Sequence, residues 1–136
     1  MTAPGFELQV LLVSTLKADA TLTGLVNGVY DTPPADPWGT KKAYISLGPT
    51  DVVEDGADCV AGEEHNIQID AWSRAVGAVE CKKICAAVKA ALHEQALELT
   101  DNAIGEVFVD GYRTLRDPDG LTTHGIINVR VTIEVA

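Results

Sequence analysis

Hydrophobic positions along the chain change their spacing several times, and each change marks an element. Residues 5–19, GFELQVLLVSTLKAD, set Phe6, Leu8, Val10, Leu11, Leu12, Val13 and Leu16 on a broad apolar face. The length of the stretch and its Glu, Leu, Gln, Lys and Ala content predict a helix. ATLTGLV predicts a further short helical turn, with Asn27–Gly28 as a left-handed stop. A short strand at VY follows. DTPPADPWGTKK then holds three prolines within five positions, which predicts an extended surface connection. AYISLGP predicts a strand that stops at Gly48–Pro49.

Residues 51–64, DVVEDGADCVAGEE, carry six acids and no base. Placed between two strands, they predict a long hairpin arm or a mobile loop. EHNIQIDAWS alternates, with His65, Ile67, Ile69 and Ala71 on one face and Asn66, Gln68, Asp70 and Trp72 on the other. Over residues 77–93, Cys81, Ile84, Cys85, Val88 and Leu92 recur at helical spacing, with Lys82, Lys83 and Lys89 off the stripe. Glu80 near the start and His93 near the end suit the dipole of that helix. GEVFVDGYRTLRD predicts a strand with an irregularity at Gly111. THGIINVRVTIEVA closes the chain with Ile127, Val129, Val131, Ile133 and Val135 on one face.

This order predicts an α/β (α+β) fold: an antiparallel or mixed sheet of four to five strands, two helices packed on one face, and long hairpin loops. The 136 residues fit a single domain over 1–136. Hydrophobic residues make up 46% of the chain and charged ones 22%, enough apolar material for one ordinary core. No apolar run approaches the roughly 20 residues that span a bilayer. MTAPGFELQV lacks a basic segment ahead of an apolar block, so no secretory signal is expected. Three cysteines, an odd number, argue against a disulfide framework and for a reducing compartment. A net charge of −10 weighs against gripping a phosphate backbone, which needs Lys and Arg to displace counterions.

The densest candidate chemistry is RTLRDPDGLTTHG, residues 113–125. As a calcium loop with Gly120 at the obligatory glycine, Asp117 and Asp119 fall correctly. Leu115 and Ile126 then occupy the positions of the first carboxylate and the bidentate Glu, so the match fails at both ends. As a turn it works: Asp117 supplies an acceptor, Pro118 a pre-set φ, and Gly120 a positive φ, between two strong strands. Arg116 then has Asp117 or Asp119 as partners across its own turn.

Cys81, Cys85 and His65 suggest a soft-metal cluster, but both thiols sit in the apolar stripe, where free cysteine packs as a small hydrophobe. Cys59, in the acidic arm with no base beside it, is open to labelling rather than poised as a nucleophile. His65 and His124 lack a local nucleophile, and His124 is expected to face solvent or a hairpin neighbour. No GxSxG, P-loop, HExxH or GxGxxG motif is present. The sequence therefore predicts no catalytic site, no metal and no cofactor. Trp72 suits either an intersubunit contact or burial of its ring edge. Trp38, in the proline-rich loop, is the better candidate for a partner contact. The acids Asp51, Glu54, Asp55 and Asp58 and the bases Arg74, Arg113 and Arg116 are candidate complementary surfaces. The bland alternative for the acidic run is a solvated loop.

VYDTPPADPWGTKKAYISLG, HNIQIDAWSR and YRTLRDPDGLTTHGIINVRV, in this order and spacing, resemble the tail-completion (tail-terminator) proteins of long-tailed phages and of gene transfer agents. LKADATLTGLV and AVECKKICAAVKAALHE fall where that family has its two helices, and RDPDGLTTHG is the most specific piece. The resemblance implies a non-enzymatic structural protein of the virion, assembled in the bacterial cytoplasm. It implies a cap on the head-proximal end of the tail tube, commonly a hexameric ring, that ends polymerisation and docks to the head connector. The implied partners are further copies of the chain, the tail tube protein and the connector, with no membrane. DNA would pass through without specific binding. The rivals are a connector or head-completion protein on the other side of the neck, and a small-molecule-binding α/β domain.

Overall fold

The computed structural model describes residues 2–136. The chain runs α1 (Pro4–Ala18), α2 (Ala20–Leu25), β1 (Val29–Tyr30), β2 (Ala43–Glu54), β3 (Gly62–Ser73), α3 (Val79–Leu92), β4 (Ala103–Arg116) and β5 (Thr123–Glu134). The strands form one mixed sheet in the order β1-β2-β3-β5-β4, with β1 parallel to β2 and the remaining pairs antiparallel. This is the expected α+β fold, with the short turn after α1 forming a third helix.

Pro4 starts α1, where a missing N–H costs nothing. Leu8, Leu12 and Leu16 bury at four-residue spacing, each contributing about 1.5–3 kcal/mol. The apolar face is narrower than the sequence suggested. Phe6 and Val10 lie half a turn away and are 68% and 54% exposed. Asp19 separates the first two helices and caps the second, its carboxylate accepting from the Leu22 N–H at 2.9 Å.

No left-handed residue ends α2. Val26 is extended, and the Asn27 N–H donates to the Ala43 carbonyl at 2.7 Å, so the chain passes straight into β1. Nor does β2 stop at Gly48–Pro49. A bulge between Leu47 and Thr50 absorbs the proline, and the strand continues to Glu54. Proline is tolerated because β1 pairs only with Ile45 and Ser46, leaving β2 beyond them at the sheet edge. The irregularity expected at Gly111 is present between Val109 and Gly111, and a second lies between Ile104 and Glu106.

The helices cover the sheet face that carries Ile45, Ile69, Ala71, Ile127, Val129 and Val131, and the core there is continuous. The expected stripe of α3 is buried in full. It packs tightly on the sheet at Gly125, where a Cβ would come within 2.5 Å of Cys85 Sγ. At the other end Glu7 ties three segments together. Its carboxylate accepts from the backbone N–H groups of Thr100 and Asp101 and from Asn102 Nδ2, while Asn102 Oδ1 accepts from the Ala136 N–H.

Candidate assembly interface

The helix-free face of the sheet carries the chemistry that alternation alone had left scattered. The β3–β5 register sets Trp72 opposite His124, and their rings stack at 3.8 Å between centroids with a 9° tilt. His124 Nε2 lies 2.7 Å from Asp70 Oδ1, and both side chains are largely buried. Gln68 Nε2 donates to the same carboxylate oxygen at 2.8 Å, and Trp72 Nε1 donates to Ser46 Oγ at 2.9 Å. A side chain at Gly48 would meet Asp70 Oδ2, which accounts for glycine there. His124 therefore faces neither solvent nor its hairpin neighbour. Its partner comes from β3, and no sequence signal near His124 predicts that register. The stack and these bonds tie β2, β3 and β5 together on this face as a brace.

The aromatic run continues outward. Tyr44 stacks on Trp72, Trp38 meets Tyr44 edge-on at 4.9 Å, and the Arg74 guanidinium sits 4.1 Å from the Trp38 ring centroid. Arg74 Nε also reaches Thr122 Oγ1 at 3.4 Å. Trp38 is thus half-buried against its own sheet rather than displayed on a free loop, and Arg74 is engaged at the same end of the molecule.

The stretch 117–122 is a turn. Gly120 has φ +71° and donates to the Asp117 carbonyl at 3.0 Å. Asp119 is its centre, accepting from Thr122 Oγ1 at 2.7 Å and from the Leu121 and Thr122 N–H groups at 2.8 Å. The Thr122 hydroxyl and these two N–H groups hold its carboxyl below the ordinary value. Arg116 does not pair with either aspartate; Nη1 donates to the Gly120 carbonyl at 3.4 Å. Arg113 is exposed and in no ion pair among the described residues.

Asp51, Glu54, Asp55 and Asp58 are all exposed on the hairpin arm, whose tip is closed by a bridge between Ala57 and Val60. Cys59 is exposed at that tip with φ +65°. The arm and the basic residues lie at opposite ends of the sheet. Glu63 and Glu64 pair with Ile133 and Thr132, whereas Arg116 pairs with Thr123. Within one copy the two charge sets do not meet.

Cys81 and Cys85 are buried in the core. Their mutual hydrogen bond, followed by burial, pushes the Cys85 thiol up. Among the described residues no group of three or more His, Cys, Asp or Glu side chains is arranged to hold a metal ion. Two concavities of about 350 Å³ each lie between α1, α2 and β1 and between α1 and residues 98–101. No helix among the described residues is long and apolar enough to cross a membrane.

The chain belongs to the family described as tail completion protein gp17, which matches residues 10–134. That makes it a structural component of the tail, and so of the virion, which is consistent with a non-enzymatic role. A comparison with curated proteins found no match. Among solved structures, a chain from the virion of a native gene transfer agent particle is 29% identical, with a TM-score of 0.88 over 98% of this chain and 99% of that one.

Proposed function

We propose that this protein caps the head-proximal end of the tail tube as a hexameric ring, ends tube polymerisation and joins the tail to the head connector. The observation that carries this reading is the near full-length likeness to a virion chain, taken with membership of the tail completion family. The whole chain acts as one domain in this role. Its partners are its own copies, the tube protein and the connector. A closed ring needs heterologous contacts, in which one surface meets a different one on the next copy. The separation of acidic arm from basic end within one copy supports such contacts. The tip carboxylates Asp55 and Asp58 face the DNA path, where they repel phosphate rather than bind it. Reversing their sign should slow DNA passage, and unchanged ejection would overturn that role.

The deciding experiment is electron microscopy of particles from the producing cell with the gene deleted. Unjoined heads beside tails of irregular length are expected. Tails of normal length without heads would move the protein to the connector side of the neck. Intact, infectious or transducing particles would overturn a tail role.

A further inference from the structure

Both edges of the sheet are covered over only part of their length. On β2, the backbone of residues 27–28 bonds to Ala43 and Ile45, and among the described residues no backbone partner outside β3 follows before Glu54. From Pro49 to Glu54 every residue is exposed. On β4, the segment after α3 seals the middle: the Glu94 N–H donates to the Val107 carbonyl, and His93 Nδ1 accepts from the Val109 N–H. Beyond the bulge, Gly111–Arg116 bonds only to β5 among the described residues.

The two open stretches match in direction, alternation and charge. Backbone groups alternate along an antiparallel strand. The Asp55 N–H bonds inward to Gly62, which turns Thr50, Val52 and Glu54 outward. Val107 and Val109 bond outward, and carrying the alternation past the bulge turns Tyr112 and Thr114 outward. Through the sheet order, β2 and β4 run in opposite directions. Two copies of β2 centred on Asp51 would oppose carboxylates, and two copies of β4 centred on Arg113 would oppose guanidinium groups. Like charges directly opposite are disfavoured. The acidic edge is therefore suited to the basic one.

We propose that Thr50–Val53 of one copy pairs antiparallel with Gly111–Thr114 of the next, so that the sheets of neighbouring subunits join. The register sets Val52 against Tyr112 and Thr50 against Thr114 on the helix-covered side. It sets Asp51 against Arg113 on the open side and lays Val53 over Gly111. Val52 and Tyr112, 51% and 42% exposed, cover one another. The open stretch of β2 lies at the arm end of the sheet and that of β4 at the turn end. Successive copies are therefore staggered along the strands, and the strands tilt for the ring to close. This pairing rests on the ring reading above and specifies its interface.

The test is a disulfide across the junction: Val52→Cys with Tyr112→Cys, in a Cys59→Ser background that removes the exposed thiol. Facing hydrogen-bonded positions are about 5.5 Å apart between Cα atoms, within disulfide range. Tails isolated from producing cells, oxidised and run without reductant, should release a ladder from dimers upward for the double variant and monomers for each single one. Dimers from Val52→Cys alone would mean β2 pairs with itself and would overturn the proposal. Tails that contain the double variant yet release only monomers would overturn it too, while leaving the tail role standing. If the chain without these substitutions is absent from tails, the tail role fails. Oxidation of the concentrated purified double variant then decides the pairing alone: a ladder supports it and monomers overturn it. As a second handle, Asp51→Arg or Arg113→Asp should each abolish assembly, and the two together should restore it.

Discussion

The two long hairpins, β2–β3 and β4–β5, are built from strands of similar length and end very differently. At the β4–β5 turn the chain satisfies itself. Asp119 accepts three hydrogen bonds, Arg116 is tied to the Gly120 carbonyl, and Arg74 joins the turn to Trp38. At the β2–β3 tip, Glu63 faces His65 and Glu64 approaches Arg130, while Asp51, Glu54, Asp55 and Asp58 stand in no ion pair among the described residues. One turn is closed by bonds within the subunit. The other carries charge and unpaired backbone that a single copy leaves unanswered. The side-chain bonds within one copy are thus gathered at the turn, and the unpaired carboxylates at the tip.

The largest effect on that division should come from Trp72→Ala. It removes the stack on His124 and the bond to Ser46, and should cost about 3 kcal/mol in denaturant unfolding. An unchanged midpoint would mean the brace carries no stability. Acid should come next. Hydrogen bonds from Thr122 and Leu121 hold the Asp119 carboxyl down. At Glu7, burial raises the carboxyl, but the bonds from Asp101, Asn102 and Thr100 together outweigh it. A group whose pKa is lowered by folding adds stability that is whole above its unfolded value, about 4, and is lost as pH falls through the folded value. Melting temperature should therefore drop below about pH 4. Asp119→Asn should lower it at neutral pH and flatten that acid slope.

At the other hairpin, Asp55→Asn with Asp58→Asn should leave the melting temperature of the isolated chain unchanged. A clear fall would show that the tip is also part of the subunit's stability. Arg116→Ala should likewise change unfolding free energy by no more than about 0.5 kcal/mol, since its bond to Gly120 is long and exposed.

Much of this was legible from residue spacing. Strict alternation in β3 and β5 and the stripe of α3 are local consequences of which face must leave water, and they hold residue by residue. The turn at Asp117–Gly120 was legible for the same reason, because proline and glycine constrain the backbone wherever they occur. What failed depended on neighbours distant in the chain. Gly48–Pro49 reads as a stop, yet a bulge at an unpaired edge lets β2 run on. Asn27–Gly28 reads as a helix cap, yet the pairing of Asn27 with Ala43 draws the chain out extended.

By itself, then, the sequence determined the buried faces of β3, β5 and α3 and the acidic character of the arm, because these follow from side-chain periodicity and charge within a few residues. Only the tertiary structure decided that Asp70 meets His124 beneath Trp72, and that Arg74 is engaged by Trp38. It alone decided that the arm acids and Arg74, Arg113 and Arg116 lie at opposite ends of one sheet. Strand order and register set those meetings, and both are properties of the closed core rather than of any one segment.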